Sequence, residues 1–373
     1  MNSTRIVLVA WCTFGAAIVT NSSAAERPRL KDAFKDDFVV GAAIGEDQIM
    51  GDEPKSMELV AEQFNAISPE NCLKWESVHP EPDRYDFEQA DKYVEFGEQH
   101  GMFILGHTLV WHNQTPAWVF EDEQGKPLGR EALLARMREH IHTVVGRYKG
   151  QIDGWDVVNE AVMPDGTMRK TKWLEIIGPD YLAKAYEYAH EADPDAELYY
   201  NDYNEWYPEM RATTAKLVRD LKAGGARIDG IGMQGHWGLD YPPLDQAEAS
   251  IVAFADAAGK VNITEVDVTT VPDARQYRGM DISANKELMK KLDPYPDGLP
   301  DEMQKQFADR YRDVFTLFHK HRDKIARVTF WGVHDGQTWL SYHPVPGRHA
   351  YPLLFDAELQ PKPAFDAVIE VAE

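Results

Sequence analysis

The sequence predicts an α/β fold of one kind, a single-domain (β/α)8 TIM barrel. Three observations predict it. Eight short apolar runs, rich in β-branched residues, follow one another along the chain. The intervals between them have room for helices, and the later ones carry apolar residues at helical spacing. Polar and aromatic clusters gather at the ends of seven of the eight runs. Alternation of strand and helix implies a parallel sheet, and eight repeats is the number that closes it.

Taken in order, the first run is Phe38–Gly45. The second, Ala66–Asn71, leads into Pro69-Glu-Asn-Cys-Leu-Lys-Trp75, and a helical pattern follows over Phe87–His100. The third, Phe103–Val110, ends within Gly106-His-Thr-Leu-Val-Trp-His112 and precedes a helix over Arg130–Tyr148. The fourth, Ile152–Asn159, ends in Asn159-Glu160 before a helix over Tyr181–Ala192. The fifth, Glu197–Asn201, opens Asn201-Asp-Tyr-Asn204, with a helix over Met210–Leu221. The sixth is read as one strand, Gly230–His236, ending in Gln234-Gly-His-Trp237, with a helix over Gln246–Ala258. The seventh, Val261–Val266, carries Glu265-Val-Asp267 and precedes a helix over Glu302–His321. The eighth, Arg327–Gly332, ends in Trp331-Gly-Val-His-Asp335. In such a barrel the C-terminal strand ends carry the active site, so these clusters are expected to face one cleft.

The first 25 residues stand apart from this pattern. Arg5 precedes an apolar run from Ile6 to Val19, and Asn21-Ser-Ser-Ala-Ala25 supplies small residues. That is the pattern of a secretory signal cleaved after Ala25, leaving one domain over 26–373. The run is too short for a comfortable membrane span, so no membrane association is expected after cleavage. Removing Arg5 moves the formal charge from −23 to −24. Such a charge repels nucleic acid and anionic membranes. Cleavage also removes Cys12 and leaves Cys72 alone, so no intrachain disulfide is expected; Cys72 reads as a small buried hydrophobe. A localisation outside the cytoplasm, secreted or periplasmic, follows from the signal, and the chain is expected to act as a monomer.

Glu160 and Glu265 are the residues that point to a chemistry. A carboxyl at the polar tip of a strand does little for a core and is well placed to meet a ligand. Two of them on opposing arcs of a barrel are the minimum equipment for breaking a glycosidic bond. His107, His112 and His236 raise the question of a metal, but no His-x-His follows the first strand and no two-His helical motif accompanies them. A histidine network tuning carboxylates is the preferred reading, and no metal or organic cofactor is expected. His236 and Asp267 are placed to favour the charged form of Glu265. Asp156 lies four residues before Glu160, on the same strand face by period two, where its charge would raise the Glu160 pKa. Trp111, Trp331, Trp339 and Tyr203 sit at or beyond strand ends, where aromatic faces can stack on pyranose rings.

These motifs, in this order and spacing, resemble glycoside hydrolase family 10, the (β/α)8 endo-β-1,4-xylanases, from about Phe38 to Phe365. The motif Pro352-Leu-Leu-Phe-Asp356 adds to the match. The resemblance implies that Glu160 is the acid/base and Glu265 the nucleophile, with Asn159 binding the sugar 2-hydroxyl. It implies that Glu70, Asn71, Lys74, His107, Trp111 and Gln114 grip the non-reducing side of the substrate. Gln234 and His236 would lie beside the nucleophile. Trp331 and Trp339 would cover those subsites, and Tyr203 would be the platform beyond the scissile bond. The implied partner is xylan and its oligosaccharides. A β-1,4-glucanase on the same scaffold, a metal-dependent barrel hydrolase and a silent sugar-binding barrel are the alternatives. The long stretch Val271–Pro300, rich in Pro, Asp and Lys, is expected to border the cleft and to shape subsites that the motifs do not describe.

Overall fold

The computed structural model describes residues 27–278 and 285–373, so the expected signal over 1–25 lies outside it. The described strands are β1 (Val39–Ile44), β2 (Ala66–Pro69), β3 (Phe103–Val110), β4 (Gly154–Asn159), β5 (Glu197–Asp202), β6 (Gly230–Met233), β7 (His236–Gly238), β8 (Val261–Thr269) and β9 (Ile325–Phe330). All pair in parallel. The order runs β6-β5-β4-β3-β2-β1-β9-β8, and a β6–β8 pairing closes the ring into a barrel of eight staves.

The sixth run is not one strand. It splits into β6 and β7, because Gly235 has φ +82, a conformation that glycine adopts without a Cβ clash. The backbone N–H of Gln234 turns to the Asp202 carbonyl and the Glu205 carboxylate, at 2.9 Å each. Past the kink, β7 pairs with β8 so that His236 stands opposite Asp267. This extra pairing extends β8 to Thr269, beyond the expected end at Val266.

All six periodic segments are helices, within about two residues of the expected bounds: Glu88–His100, Arg130–Arg147, Tyr181–Ala192, Pro208–Ala223, Leu244–Ala258 and Asp301–Lys320. Two more, Pro54–Gln63 and Pro363–Ala372, fill the first interval and the end of the chain. Their apolar faces close over the barrel wall. Phe34, Phe64, Phe254 and Phe315 are fully buried, and each contributes about 1.5–3 kcal/mol relative to exposure. Cys72 is also buried, as a free thiol whose ionisation burial disfavours.

Candidate active site

In β8, four residues before its end at Thr269, Glu265 is 5 % exposed and held on both carboxylate oxygens. His236 Nε2 lies 3.0 Å from Oε2, and Asn201 Nδ2 donates to Oε1 at 2.8 Å. Asn201 reaches inward because Gly232 leaves room: a Cβ there would come within 2.3 Å of the Asn201 amide oxygen. His236 Nδ1 lies 2.9 Å from Asp267, and the indole N–H of Trp339 donates to the same Asp267 oxygen at 2.7 Å. Burial works against charge on His236, but Asp267 and Glu265 overcome it and raise its pKa to about 10. Burial likewise pushes Glu265 up. The His236 bond and charge, His107 and the Asn201 amide outweigh it and leave Glu265 below the usual carboxylate value. The result is a buried, ionised carboxylate aimed into the cleft.

Glu160 lies one residue beyond β4 and differs in each respect. Its φ is +61, outside the strand conformation. Gln234 Nε2 donates to its Oε1 at 3.1 Å, and His112 Nε2 approaches Oε2 at 3.9 Å. Burial raises its pKa and the Glu265 charge adds to this; the Trp111 indole, the Gln234 amide and, least, the Arg169 charge oppose without prevailing. Burial, then Arg169 and Arg278, depress His112 to about 4, so it is neutral near pH 7. An amide bridge spans the two carboxyls. Gln234 and Asn201 each donate to Asn159 Oδ1, at 3.4 and 3.1 Å, and then reach Glu160 and Glu265 respectively.

Asp156 does not act on Glu160 as its spacing suggests. An irregularity in the β4–β5 register between Asp156 and Val158, and then the left-handed turn at Glu160, break the period of two. Asp156 instead binds His107 Nδ1 at 2.9 Å, fully buried. The carboxylate that acts on Glu160 is Glu265, across the barrel.

A second cluster lines the cleft at the ends of β2 and β3. Lys74 Nζ donates to Asn71 at 3.0 Å and Gln114 at 2.8 Å, and lies 5.0 Å from the Trp111 ring centre. Gln114 also donates to Asn71, at 3.1 Å. Burial depresses Lys74, opposed by Glu265, Glu70 and Glu160, which places the ammonium among all three carboxyls. Burial raises Glu70, against the pull of Lys74. Trp331 packs edge-on against His107 and His236, at 5.6 and 6.3 Å between ring centres. Trp339 sits 4.9 Å from His236 in a short helical turn after β9. Tyr203 stands on the other side, its hydroxyl 3.1 Å from Arg169. The residues singled out from the sequence therefore gather at the C-terminal strand ends, with Asp156 set behind them, buried under His107.

The sequence profile of Glycosyl hydrolase family 10 matches residues 29–371. The chain belongs to this family. Among curated relatives of this family 10 chain, an endo-1,4-beta-xylanase A of Xylanibacter ruminicola is 47% identical over 94% of this chain and 95% of its own length. An endo-1,4-beta-xylanase of Geobacillus stearothermophilus is 42% identical over 92% and 98%. Among solved structures, a GH10 endoxylanase from a sugarcane soil metagenome superposes with a TM-score of 0.88 at 44% identity, covering 93% of this chain and all (100%) of its own. A Paenibacillus barcinonensis xylanase complexed with a conduramine derivative superposes with a TM-score of 0.83 at 42% identity, covering 93% of this chain and 99% of its own.

Three residues of this family 10 site escape a reading by motif. Asn201, the link from Glu265 to the amide bridge, was visible in the Asn201–Asn204 cluster but had no feature to single it out. His112 closes the Gly106–His112 motif, yet its neutrality depends on burial that spacing does not reveal. Arg169 lies in a polar segment after β4 with nothing in the sequence to mark it; only the folding of that segment brings it to Glu160.

Proposed function

We propose that this chain is a retaining endo-1,4-β-xylanase that hydrolyses internal bonds of xylan. The observation that carries the reading is the division of labour between the two carboxyls, one held ionised and the other raised toward protonation, joined by one amide bridge. Environments that push two titratable groups apart assign acid and base roles. Glu265 attacks the anomeric carbon while Glu160 protonates the departing oxygen. A glycosyl-enzyme forms, and Glu160, now ionised, takes a proton from water as that water releases the sugar. Asn159 stands between the two carboxyls, where a sugar 2-hydroxyl would lie. Glu70, Asn71, Lys74, His107, Trp111 and Gln114 hold the non-reducing side, roofed by Trp331 and Trp339, and Tyr203 supports the sugar beyond the scissile bond.

The names borne by the relatives support xylan as the substrate. Reducing-sugar release from linear xylan, with the β-anomer appearing first by proton NMR, is the expected result. Release of the α-anomer first would overturn retention. Equal specificity constants on xylotriose- and cellotriose-derived aryl glycosides would overturn the preference for xylan. Export after cleavage behind Ala25 is part of the same reading, and the mass of the protein recovered outside the cytoplasm tests it; a chain still beginning at Met1 would count against it.

A further inference from the structure

Glu160 is a non-glycine residue with φ +61, a conformation that side chains avoid and that must be held from outside. Its N–H donates to the Asn201 carbonyl at 2.9 Å, which anchors one side of the peptide. The other side is anchored by a hairpin. Ala161 to Arg169 folds back on itself, with a Val162–Met168 bridge and with Met163 N–H donating to Thr167 at 2.8 Å. Arg169 N–H closes the hairpin on the Ala161 carbonyl at 2.8 Å. The hairpin base is itself fixed to β5. Ala161 N–H donates to the Tyr200 hydroxyl at 3.1 Å and Val162 N–H to Asp202 at 3.2 Å. This fold-back delivers the Arg169 guanidinium to two places at once. Nε donates to the Glu160 carbonyl at 2.7 Å, and Nη2 donates to the Tyr203 hydroxyl at 3.1 Å, with the guanidinium 5.5 Å from the Tyr203 ring centre.

We propose that Arg169 is a positioning residue for the acid/base, fixing the turn that aims Glu160 and coupling it to the Tyr203 platform on the leaving-group side. Its planar guanidinium can serve both contacts together, which a lysine ammonium on a flexible stem cannot. The inference rests on the catalytic reading given above.

The titratable groups facing Glu160 are Lys74 after β2, neutral His112 after β3, Arg169 after β4, Asp202 in β5, which burial raises to about 8, and Glu265 in β8. The Trp111 and Gln234 side chains do most to hold the Glu160 pKa down against burial and Glu265, and the Arg169 charge adds a smaller pull in the same direction. Removing the Arg169 charge raises that pKa further. Glu160 must be protonated to act as the acid, so the basic limb of the kcat/KM profile moves to higher pH.

The test compares Arg169→Met and Arg169→Lys with the parent on xylohexaose and on a dinitrophenyl xylobioside, as pH profiles. In Arg169→Met the basic limb on xylohexaose is expected to move to higher pH, by less than about one unit. At the optimum the loss is expected to be at least tenfold larger on xylohexaose than on the dinitrophenyl substrate, whose departure needs no proton. Arg169→Lys keeps the charge, so its limb stays in place while the same leaving-group bias persists. An unmoved limb in Arg169→Met, or equal losses on the two substrates in both variants, overturns the inference. Should Arg169→Met not fold, the leaving-group bias of Arg169→Lys decides alone. If the parent itself cleaves neither substrate, the catalytic reading has failed instead.

Discussion

Glu265 and Glu160 share one chamber but are held in opposite ways. Glu265 belongs to strand β8, at a shift of its register with β9 between Ile263 and Val266, and three side chains behind it, His236, Asp267 and Trp339, form a continuous hydrogen-bonded buttress. Glu160 belongs to a turn in a conformation that side chains avoid, and it is held chiefly through its own backbone, by Asn201 and Arg169. The strand-borne carboxyl meets a charged histidine and sits below its ordinary pKa. The turn-borne one meets neutral donors and a second carboxylate and sits above it. Burial is nearly the same at both sites, so burial alone does not assign roles. What differs is whether a cation bonds the carboxyl directly.

The sharpest way to break this comparison is to delete each carboxyl. Glu265→Ala removes the attacking group, and turnover of xylan and of dinitrophenyl xylosides alike should fall by about 10⁴-fold or more. Glu160→Ala should lose about 10²–10⁴-fold on xylan. Dinitrophenyl xylosides should still give a burst of phenolate, because that leaving group needs no proton. Azide, which needs no deprotonation, should speed the second step and yield a β-xylosyl azide. An α-azide from this variant, or a burst from Glu265→Ala, would show the roles reversed.

The buttress can be probed one step further back. His236→Ala strips Glu265 of the cation that holds its pKa down, and burial then pushes that pKa up. The nucleophile must be ionised, so the acid limb of kcat/KM should move to higher pH by about one unit. The basic limb, which reports Glu160, should stay nearly fixed. Movement of both limbs together would mean that the two sites are not electrically separable. The smallest effect is expected from Trp339→Phe. It keeps an aromatic face but removes the N–H bound to Asp267, a bond worth about 1 kcal/mol, so kcat/KM should fall by only about three- to tenfold. A larger loss, confined to kcat, would place Trp339 in the buttress more firmly than its single bond indicates.

Much of the frame was legible because it depends on local periodicity. Six helices and the staves of the barrel follow from residues three, four or two apart, and strand ends are where polar clusters interrupt apolar runs. The exception at the sixth run is instructive. Gln234-Gly-His continues an apolar strand on paper, yet Gly235 permits a left-handed kink that redirects both neighbours into the cleft. A glycine in a strand signals that a bend is permitted, and the partners that take up the freed N–H decide whether it occurs. Asp156 fails for the same reason: period two holds only while a strand stays regular, and β4 does not remain so as far as Glu160.

By itself the sequence determined the barrel, the family, the two carboxyls and the residue types around them, because each depends on order along the chain. Only the tertiary structure decided which carboxyl is ionised. That depends on His236 being brought across from β7 to bond Glu265, while Glu160 receives an amide from the same segment. It also decided that Asp156 serves His107 and that Arg169 serves Glu160. Electrostatic roles are set by distances through space in a medium that excludes water, and neighbours in that medium come from strands far apart in the sequence.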